Sequence, residues 1–469
     1  MSRAVLAAFL LTGCNLGPSY ERPVLDTPAA FRATADTAEA AWPAAEWWRN
    51  FNAPELDRLI ERARAHNQDL AAAAARVVQA DAQVRINGAP LLPSLGATGN
   101  YNYDRSGTGA SRSVFSGAGG NHYFDSRSYS VGLQASYDLD LFGKNRALAE
   151  SAVASLVASR FDQEVVALAV TTSVASTYFQ VLSAQDRLRI AERNLRDAER
   201  ILAAFRARVA AGTATALDVS QQEALVAGQR ANLPALRNTI EQNRIGLGIL
   251  IGQPPEQLDV TGGSLEKLPL PLVAPGLPSE LLARRPDVAE AEADLVAQNA
   301  NIRSARAAFF PDVSLTASGG LTSAALSTIT GPGTLVAQLS AALTQSIFDN
   351  GLREGQLQQT KGRYDELVAT YRKNVLQAFT DVEQALAALQ YYGEQETLER
   401  AALAVAQRSA DIAQAQLQAG TIDIITSLNT EQTLFTDLDL VAQIRLSRFQ
   451  SLLNLYKALG GGFSTTGSA

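Results

Sequence analysis

A segment of about 68 residues, from Lys144 to Ala211, contains neither glycine nor proline. Nearly all of its residues are good or tolerated helix formers, so the sequence predicts one unbroken helix. At about 1.5 Å per residue this helix would be on the order of 100 Å long, which is several times the mean for globular proteins. Leu188, Leu195 and Leu202 recur every seven residues and indicate a seam for partner helices. A compact domain cannot enclose such a helix.

The second half of the chain repeats the organisation of the first half. A second long segment without proline, residues 352–419, is followed by a Gly-Thr dipeptide, as the first segment is. The matching positions are Gly212-Thr213 with Gly420-Thr421 and Gly252 with Gly460, each 208 apart, and Asp69 with Asp287 and Pro93 with Pro311, each 218 apart. We infer two copies of one unit, and a longer hairpin loop in the first copy explains the change of offset.

Each copy also contains two segments in which apolar and polar residues alternate, which is typical of strands with one apolar face. The apolar sets are Leu95, Ala97, Gly99, Tyr101 and Tyr103; Tyr129, Val131, Leu133, Ala135, Tyr137 and Leu139; Val313, Leu315, Ala317, Gly319 and Leu321; and Leu335, Ala337, Leu339, Ala341 and Leu343. We predict about 9 to 11 residues in each strand, which is the length needed to cross a bilayer at a tilt. The predicted fold class is mixed α and β, mainly α.

These patterns divide the chain into six segments and place helices and hairpins in the two repeats. The segments are a signal peptide (1–13), an N-terminal arm (14–53), a first repeat (54–251), a connector (252–278), a second repeat (279–459) and a C-terminal tail (460–469). The predicted helices are 55–87, 144–211, 213–251, 279–308, 352–419 and 421–459, and the predicted β-hairpins are about 94–140 and 312–347.

The strands, rather than the helices, are the segments that we expect to enter a membrane. No stretch has eighteen consecutive apolar residues, and the helices carry charges throughout. A sheet in lipid must close, and four strands are too few, so several chains must share one barrel. Two copies would give eight strands with a filled interior, and three would give twelve strands and a lumen. The alternative is a small soluble sheet that packs on the helices.

Composition argues against several classes of function. The net charge of −7 and the pI near 5.2 are unfavourable for a nucleic-acid surface, so we expect no nucleic-acid partner. The chain has two histidines, His66 and His122, and one cysteine, Cys14. These residues do not supply a nucleophile with its base or a metal site. We therefore predict no enzyme activity, no cofactor and no bound metal.

The N-terminus has the pattern of a secretory signal. Arg3 precedes a short apolar run, and Thr12-Gly13 then leads to Cys14. A cysteine directly after a small residue resembles the signal of bacterial lipoproteins, in which the thiol is acylated and becomes the mature N-terminus. Cys14 is the predicted lipid attachment site, and Asn15 favours sorting to the outer membrane.

Five motifs in the chain are specific enough to compare with known families. They are 277–288 (LPSELLARRPDV), 305–311 (ARAAFFP), Cys14 to Pro18 (CNLGP) with Tyr20, 137–143 (YDLDLFG) and 250–255 (LIGQPP). Together these motifs resemble the TolC-like outer-membrane factors of Gram-negative tripartite efflux systems, specifically their NodT-type lipoprotein branch. The resemblance covers nearly the whole mature chain.

The resemblance implies a homotrimer with a twelve-stranded outer-membrane β-barrel, four strands from each chain. It also implies a helical barrel in the periplasm and an equatorial belt formed by the arm, the connector and the tail. The implied function is a passive exit duct for drugs or other small molecules. Its partners would be a periplasmic adaptor and an inner-membrane pump, usually of the resistance-nodulation-division class.

The resemblance further implies that the periplasmic tip docks the adaptor and holds the gate. The docking candidates are Gly212, Thr213, Gly420 and Thr421, and the gate candidates are Asp218, Gln221, Asp423, Thr426 and Asn429. Related channels often place two aspartates where this chain has Thr426 and Asn429. Asp218 corresponds to Thr426 in the first repeat, and Asp423 is the candidate substitute acid. For each of these residues a solvated polar helix end is the alternative interpretation.

Three other functions remain open. The long helices and the predicted lipid anchor also suit a coiled-coil structural lipoprotein without a pore, although the repeated hairpins argue against it. A duct of this class could instead serve type I protein secretion or metal export. The absence of histidine and methionine clusters gives no support to metal handling by the chain itself.

Overall fold

The protein is mainly helical and contains one antiparallel sheet. The computed structural model describes residues 19–25, 27–28, 30–32, 42–107, 123–258, 260–273 and 278–463. The helices in these ranges are α1 (Pro54–His66), α2 (Gln68–Gly88), α3 (Lys144–Ala210), α4 (Ala216–Leu250), α5 (Pro278–Leu281), α6 (Pro286–Ala307), α7 (Leu352–Ala419) and α8 (Ile424–Ala458). The strands are β1 (Ser94–Gly107), β2 (Tyr123–Leu139), β3 (Asp312–Ser323) and β4 (Leu335–Thr344). Cys14 and the predicted signal peptide lie outside the described residues.

The chain divides into two compact units. The sheet unit comprises residues 1–23, 78–157 and 293–369, and it contains all four strands. The helical unit comprises residues 24–77, 158–292 and 370–469, and it contains the turns that connect α3 to α4 and α7 to α8.

In the sheet unit, the strand order is β1-β2-β3-β4 with antiparallel pairing throughout. The register aligns the apolar residues across all four strands, for example Leu95 with Ala135, Ala135 with Ala317 and Ala317 with Leu339. Because neighbouring positions alternate between the two faces of a sheet, this register gives one apolar face and one polar face. On the apolar face Leu339 is 82% exposed, so the chain itself does not cover it.

Two glycines lie opposite each other on the polar face, where β2 and β3 approach closely. Gly132 pairs with Gly320. A Cβ atom at Gly320 would lie 2.4 Å from the Val131 carbonyl oxygen, and one at Gly132 would lie 2.9 Å from the Gly319 carbonyl oxygen. Neither position has room for a side chain without movement of the backbone.

The two junctions between a strand and a long helix have the same construction. Asp140 accepts a hydrogen bond from the Arg146 amide (2.7 Å) before α3, and Asp349 accepts one from the Gly351 amide (3.2 Å) before α7. Gly143 and Gly351 are 208 positions apart and have φ values of +75° and +86°. An acid and a left-handed glycine therefore start both long helices.

In the helical unit, a second pair of glycines reproduces the internal repeat. Gly252 and Gly460 have φ values of +68° and +81°. A Cβ atom at Gly252 would lie 2.2 Å from the His66 carbonyl oxygen, and one at Gly460 would lie 1.9 Å from the Arg284 carbonyl oxygen. His66 and Arg284 are themselves 218 positions apart. The end of each repeat therefore makes the same close backbone contact, between a left-handed glycine and a carbonyl group near the start of that repeat.

The residues that follow His66 and Arg284 also make equivalent contacts. The Asn67 side-chain amide donates to the Leu250 carbonyl (2.8 Å), and the Arg285 guanidinium donates to the Ala458 carbonyl (3.4 Å). Arg285 is buried and also pairs with Asp381 (2.9 Å). Arg285 therefore holds the segment between α5 and α6 against α7 and the end of α8, which is a structural role.

Ion pairs between the long helices define their order in the helical unit. They are Arg206–Glu223 (2.7 Å) between α3 and α4, Arg187–Asp439 (2.6 Å) between α3 and α8, and Arg448–Glu396 (3.0 Å) between α8 and α7. The helices therefore lie in the order α4-α3-α8-α7, with α4 and α7 at the two edges.

An aromatic core joins the N-terminal arm to the long helices of the helical unit. Trp47 stacks on Tyr456 at 4.6 Å between ring centroids, and Phe51 lies 5.0 Å from Phe179. Phe449 contacts both Phe51 and Phe179. Trp47 and Phe51 are fully buried, so these arm residues form part of the core.

Among the described residues, one helix, α3, is long and apolar enough to cross a membrane by length and composition alone, because charges do not run through all of it: residues 165–185 contain no charged side chain. Half of its most apolar window is buried inside the protein. Val174 and Phe179 of this helix are completely buried in the core of the helical unit. Packing among helices therefore accounts for the apolar composition of α3.

Two predicted helices are wrong in extent because each is interrupted. The predicted helix 55–87 breaks at Asn67, whose side chain accepts hydrogen bonds from the Asp69 and Leu70 amides (2.9 and 3.0 Å) and so caps α2. The predicted helix 279–308 breaks before Pro286, which begins α6. Polar capping and proline therefore override helix propensity at the same place in both repeats.

The strands of the first hairpin are longer than predicted. β1 has 14 residues and β2 has 17, whereas we expected about 9 to 11 residues in each. Contacts between the strands stabilise the added length: Arg105 pairs with Asp125 (3.4 Å) and lies over the Tyr123 ring (4.7 Å).

Candidate functional site at the two helical turns

The turns between α3 and α4 and between α7 and α8 have the same backbone geometry. Gly212 and Gly420 both have φ of +72°. The Thr213 amide donates to the Arg208 carbonyl (2.8 Å), and the Thr421 amide donates to the Gln416 carbonyl (2.9 Å). Each of these hydrogen bonds runs from residue i to residue i−5, and the residue before each threonine is a glycine in the left-handed conformation. Both long helices therefore end in Schellman motifs. The four predicted docking residues therefore form two equivalent turns.

Asp218 forms a capping box with Thr215 at the start of α4. Its carboxylate accepts hydrogen bonds from the Thr215 amide (2.7 Å) and the Thr215 hydroxyl (2.8 Å). The Asp218 amide in turn donates to the Thr215 hydroxyl oxygen (3.3 Å). Both components of the box are present, so the Asp218 carboxylate is occupied in fixing the first turn of α4.

Asp423 caps α8 from the position that corresponds to Thr215. Its carboxylate accepts a hydrogen bond from the Thr426 amide (2.8 Å). This bond lowers the pKa of the exposed Asp423 carboxyl below its usual value. The first repeat has threonine at the N-cap and aspartate three residues later, at Thr215 and Asp218. The second repeat has the two residue types in the opposite order, at Asp423 and Thr426.

The remaining gate candidates have fewer contacts. Asn429 is exposed, and its carbonyl oxygen accepts a hydrogen bond from the Thr433 hydroxyl (2.9 Å). Gln221 is half-buried. Within the described residues, no hydrogen bond joins a gate candidate of α4 to one of α8. The structure therefore brings together Thr215 with Asp218 and Asp423 with Thr426, but not the two sets.

Two residues at this site were not among the predicted ones. Thr215 is the N-cap of α4, and the spacing Thr215-x-x-Asp218 is a recognisable capping signal. Gln222 is completely buried, and its side-chain amide donates to the Ala198 carbonyl of α3 (2.8 Å). Only the packing of α4 on α3 identifies Gln222, because glutamine in a helix carries no such signal.

The polar face of the sheet is the second candidate site, because it would line a lumen. Two pairs of hydroxyl groups bridge neighbouring strands: Ser94 with Ser136 (2.8 Å) and Thr316 with Ser340 (2.6 Å). These bonds use side chains on the face opposite the exposed leucines. The face can therefore contact water while the apolar face contacts lipid.

The fold of this chain occurs in known proteins. The profile of the outer membrane efflux protein family matches the chain twice, over residues 59–253 and 277–461. The chain belongs to the outer membrane efflux protein family. The double match agrees with the duplicated unit seen in the structure, and the family consists of transport ducts rather than enzymes.

Relatives and solved structures of this family cover almost the whole chain. The pyoverdine export outer membrane protein OpmQ of Pseudomonas aeruginosa is 41% identical over 98% of the chain and 96% of the relative. The cation efflux system protein CusC of Escherichia coli is 30% identical over 97% of the chain and 98% of the relative. The open-state crystal structure of the Neisseria gonorrhoeae MtrE channel has a TM-score of 0.86 at 31% identity, covering 96% of this chain and 99% of that chain.

These findings confirm the predicted resemblance and fold class. This efflux protein is the outer-membrane channel component of a tripartite efflux pump, and it extends from the outer membrane into the periplasm.

Proposed function

We propose that three copies of this efflux protein form a passive exit duct for small organic molecules. The observation that carries the proposal is the sheet of the sheet unit, which has one exposed apolar face and, within the described residues, no strand beside β1 or β4. Unpaired backbone groups at these edges would each cost several kcal/mol in lipid. Pairing β4 of one copy with β1 of the next removes both edges.

The number of copies follows from the size of the barrel. Two copies would close about eight strands, whose interior is filled by side chains, whereas three would close about twelve around a lumen. The hydroxyl-rich polar face suits a lumen better than a packed interior. A homotrimer therefore accounts for both faces of the sheet.

The edges of the helical layer support the same assembly. Exposed apolar side chains lie on both edge helices: Ile249 of α4 is 73% exposed, and Leu398 and Ile412 of α7 are 64% and 58% exposed. Contact between α4 of one copy and α7 of the next would bury these side chains. The helices would then close into a ring of their own.

The substrate class comes from the relatives. The relative with 41% identity is named for pyoverdine export, so we propose that a siderophore or a similar organic metabolite is the cargo. Metal-ion export is the second candidate, because a relative with 30% identity is named a cation efflux protein. Among the described residues, no group of three or more His, Cys, Asp or Glu side chains is placed to hold a metal ion. That observation gives metal export no support from this chain.

The partners follow from the tripartite pump. We propose that the turns at Gly212-Thr213 and Gly420-Thr421 dock a periplasmic adaptor, which connects the duct to an inner-membrane pump of the resistance-nodulation-division class. The gate would lie at the helix starts that follow these turns, at Asp218, Gln221, Asp423, Thr426 and Asn429. We further propose that acylated Cys14 anchors each copy in outer-membrane lipid.

Extraction from the outer membrane tests the assembly. The full-length protein should migrate as a trimer in mild detergent and as a monomer after boiling. Labelled palmitate should appear in the wild type and be lost in Cys14→Ser. A monomer before boiling would refute the duct and favour the coiled-coil lipoprotein, whereas an unlabelled wild-type protein would refute only the lipid anchor.

A further inference from the structure

A cavity of about 680 Å³ lies among α3, α7 and α8 in the helical unit, within 25 residues of both turns. Its volume is typical of a pocket for a drug-sized molecule. Its apolar lining comes mainly from Ile201 and Phe205 of α3 and from Leu434 and Phe435 of α8. The cavity can therefore accept an apolar ring or chain.

Glu431 of α8 also lines this cavity, and its side chain lacks a partner. The residue is 9% exposed, and its Oε2 atom is buried without a hydrogen bond. A buried carboxyl oxygen that makes no hydrogen bond is costly, and that cost is relieved when a donor or a cation binds it. The cavity thus combines an apolar wall with one unsatisfied acid.

The internal repeat shows which partner Glu431 lacks. The equivalent residue in the first repeat is Glu223, which pairs with Arg206 of α3 at 2.7 Å. The position equivalent to Arg206 in the second repeat is Gln414, which lines the same cavity. The second repeat has kept the acid and replaced its cation with a neutral amide.

Other charged groups around the cavity do not replace that cation. They are Asp197, Arg200 and Arg208 of α3 and Asp411 of α7. Arg200 pairs with Asp197, the Gln407 amide donates to Asp411 (3.0 Å), and the Arg208 guanidinium lies over the Phe205 ring (5.8 Å). In the described part of the chain, no ion pair reaches Glu431.

We propose that this cavity binds a small amphipathic organic cation, whose ammonium or guanidinium group pairs with Glu431 while its apolar part lies against Phe205 and Leu434. A metal ion would need several ligands, and the described residues contain no such group. The site goes beyond the proposed duct function, because binding to the purified protein requires no transport.

Protonation of Glu431 makes this binding depend on pH. Burial and the neighbouring Asp197 carboxylate raise the pKa of Glu431 to about 7. The carboxyl is therefore mostly neutral at pH 6 and mostly charged at pH 8. Affinity for a cation that stays charged over this range should increase between these two values.

Fluorescence titration of the full-length protein in detergent tests the site. The probe is dansylcadaverine, a primary amine, and the neutral comparison is dansylamide. We expect saturable binding of the amine, at least tenfold weaker binding in Glu431→Gln, and wild-type binding in the matched control Glu223→Gln. Binding should also be at least threefold tighter at pH 8 than at pH 6.

A second variant keeps the test decisive if Glu431→Gln does not assemble. Gln414→Arg supplies the cation that the first repeat has, so it should abolish binding of the amine in an assembled protein. Unchanged affinity in Gln414→Arg or in assembled Glu431→Gln would overturn the proposal. Equal binding of dansylamide and dansylcadaverine would overturn it as well.

Discussion

Asp218 and Asp423 cap the two helices that follow the turns at Gly212 and Gly420, but they do so from positions three residues apart in the repeat. Asp218 is the third residue of α4 and bonds back to Thr215, whereas Asp423 precedes α8 and bonds forward to Thr426. Each carboxylate therefore fixes a first helical turn in addition to any charge that it presents to a pore.

Removing either cap should loosen the tip. Asp218→Ala and Asp423→Ala should each destabilise a first turn by about 1 kcal/mol, because a backbone donor or hydroxyl loses its acceptor. We expect raised basal conductance and faster amide exchange at residues 215–218 or 423–426. Ser220→Ala, an exposed position on the same helix, is the control. Unchanged conductance in both cap variants would show that the two aspartates only cap their helices and do not hold a gate closed.

Where β2 and β3 approach closely, the sheet should accommodate alanine at Gly319 but not at Gly320. A Cβ atom at Gly320 would lie 2.4 Å from the Val131 carbonyl oxygen, whereas one at Gly319 would have no atom within 4 Å. Gly320→Ala should therefore cost about 1–3 kcal/mol through overpacking, and Gly319→Ala should cost much less. The melting temperatures of the two extracted oligomers measure the difference. Equal melting temperatures would contradict the register of the sheet.

Neighbouring copies should be joined by β1 and β4. Leu95→Cys combined in one chain with Leu339→Cys, Ala341→Cys or Leu343→Cys places two thiols on the apolar face, at opposite edges of the sheet. At least one combination should yield covalent trimers after oxidation, because β1 and β4 meet only between copies. Non-reducing electrophoresis after boiling detects them, and each single variant is a control. Covalent products in none of the pairs would contradict this interface.

Glu431 should make the protein less stable as the pH rises. Its pKa is raised from 4.5 to about 7 by burial and by Asp197, so the folded state favours the neutral carboxyl. Stability from this group is complete below about pH 4.5 and is lost as the pH rises through about 7. Glu431→Gln should therefore raise the melting temperature more at pH 8 than at pH 5. Glu223→Gln, which loses only an exposed ion pair, should show no such trend. An equal difference in melting temperature between Glu431→Gln and the wild type at pH 5 and pH 8 would contradict the raised pKa of Glu431.

Much of this fold could be predicted from the sequence, because regular elements leave periodic patterns. The alternating residues of the four strands predicted the apolar face, which the observed register confirms. Gly212 and Gly420 marked the two turns, because only glycine adopts a left-handed φ without strain. A period-two pattern, however, does not show where pairing ends, and the Arg105–Asp125 contact lengthens β1 and β2 beyond the prediction.

The details of the tip could not be predicted in the same way. The spacing Thr215-x-x-Asp218 is a recognisable capping signal. We nevertheless interpreted Asp218 in only two ways, as a gate residue or as a solvated polar helix end, and did not identify the capping box. The burial of Glu431 depends on the side of α8 that meets α3, and residue type does not reveal it. Once the repeat is aligned, the loss of the Arg206 equivalent at Gln414 is the one sequence signal for that site.

Single-channel recording in a planar bilayer tests the central claim, that the assembled chain is an exit duct. The purified full-length trimer should insert and conduct ions in discrete steps, with larger or longer openings in Asp218→Ala because its tip is loosened. An assembled oligomer that never conducts, in the wild type and in the cap variant alike, would contradict the account.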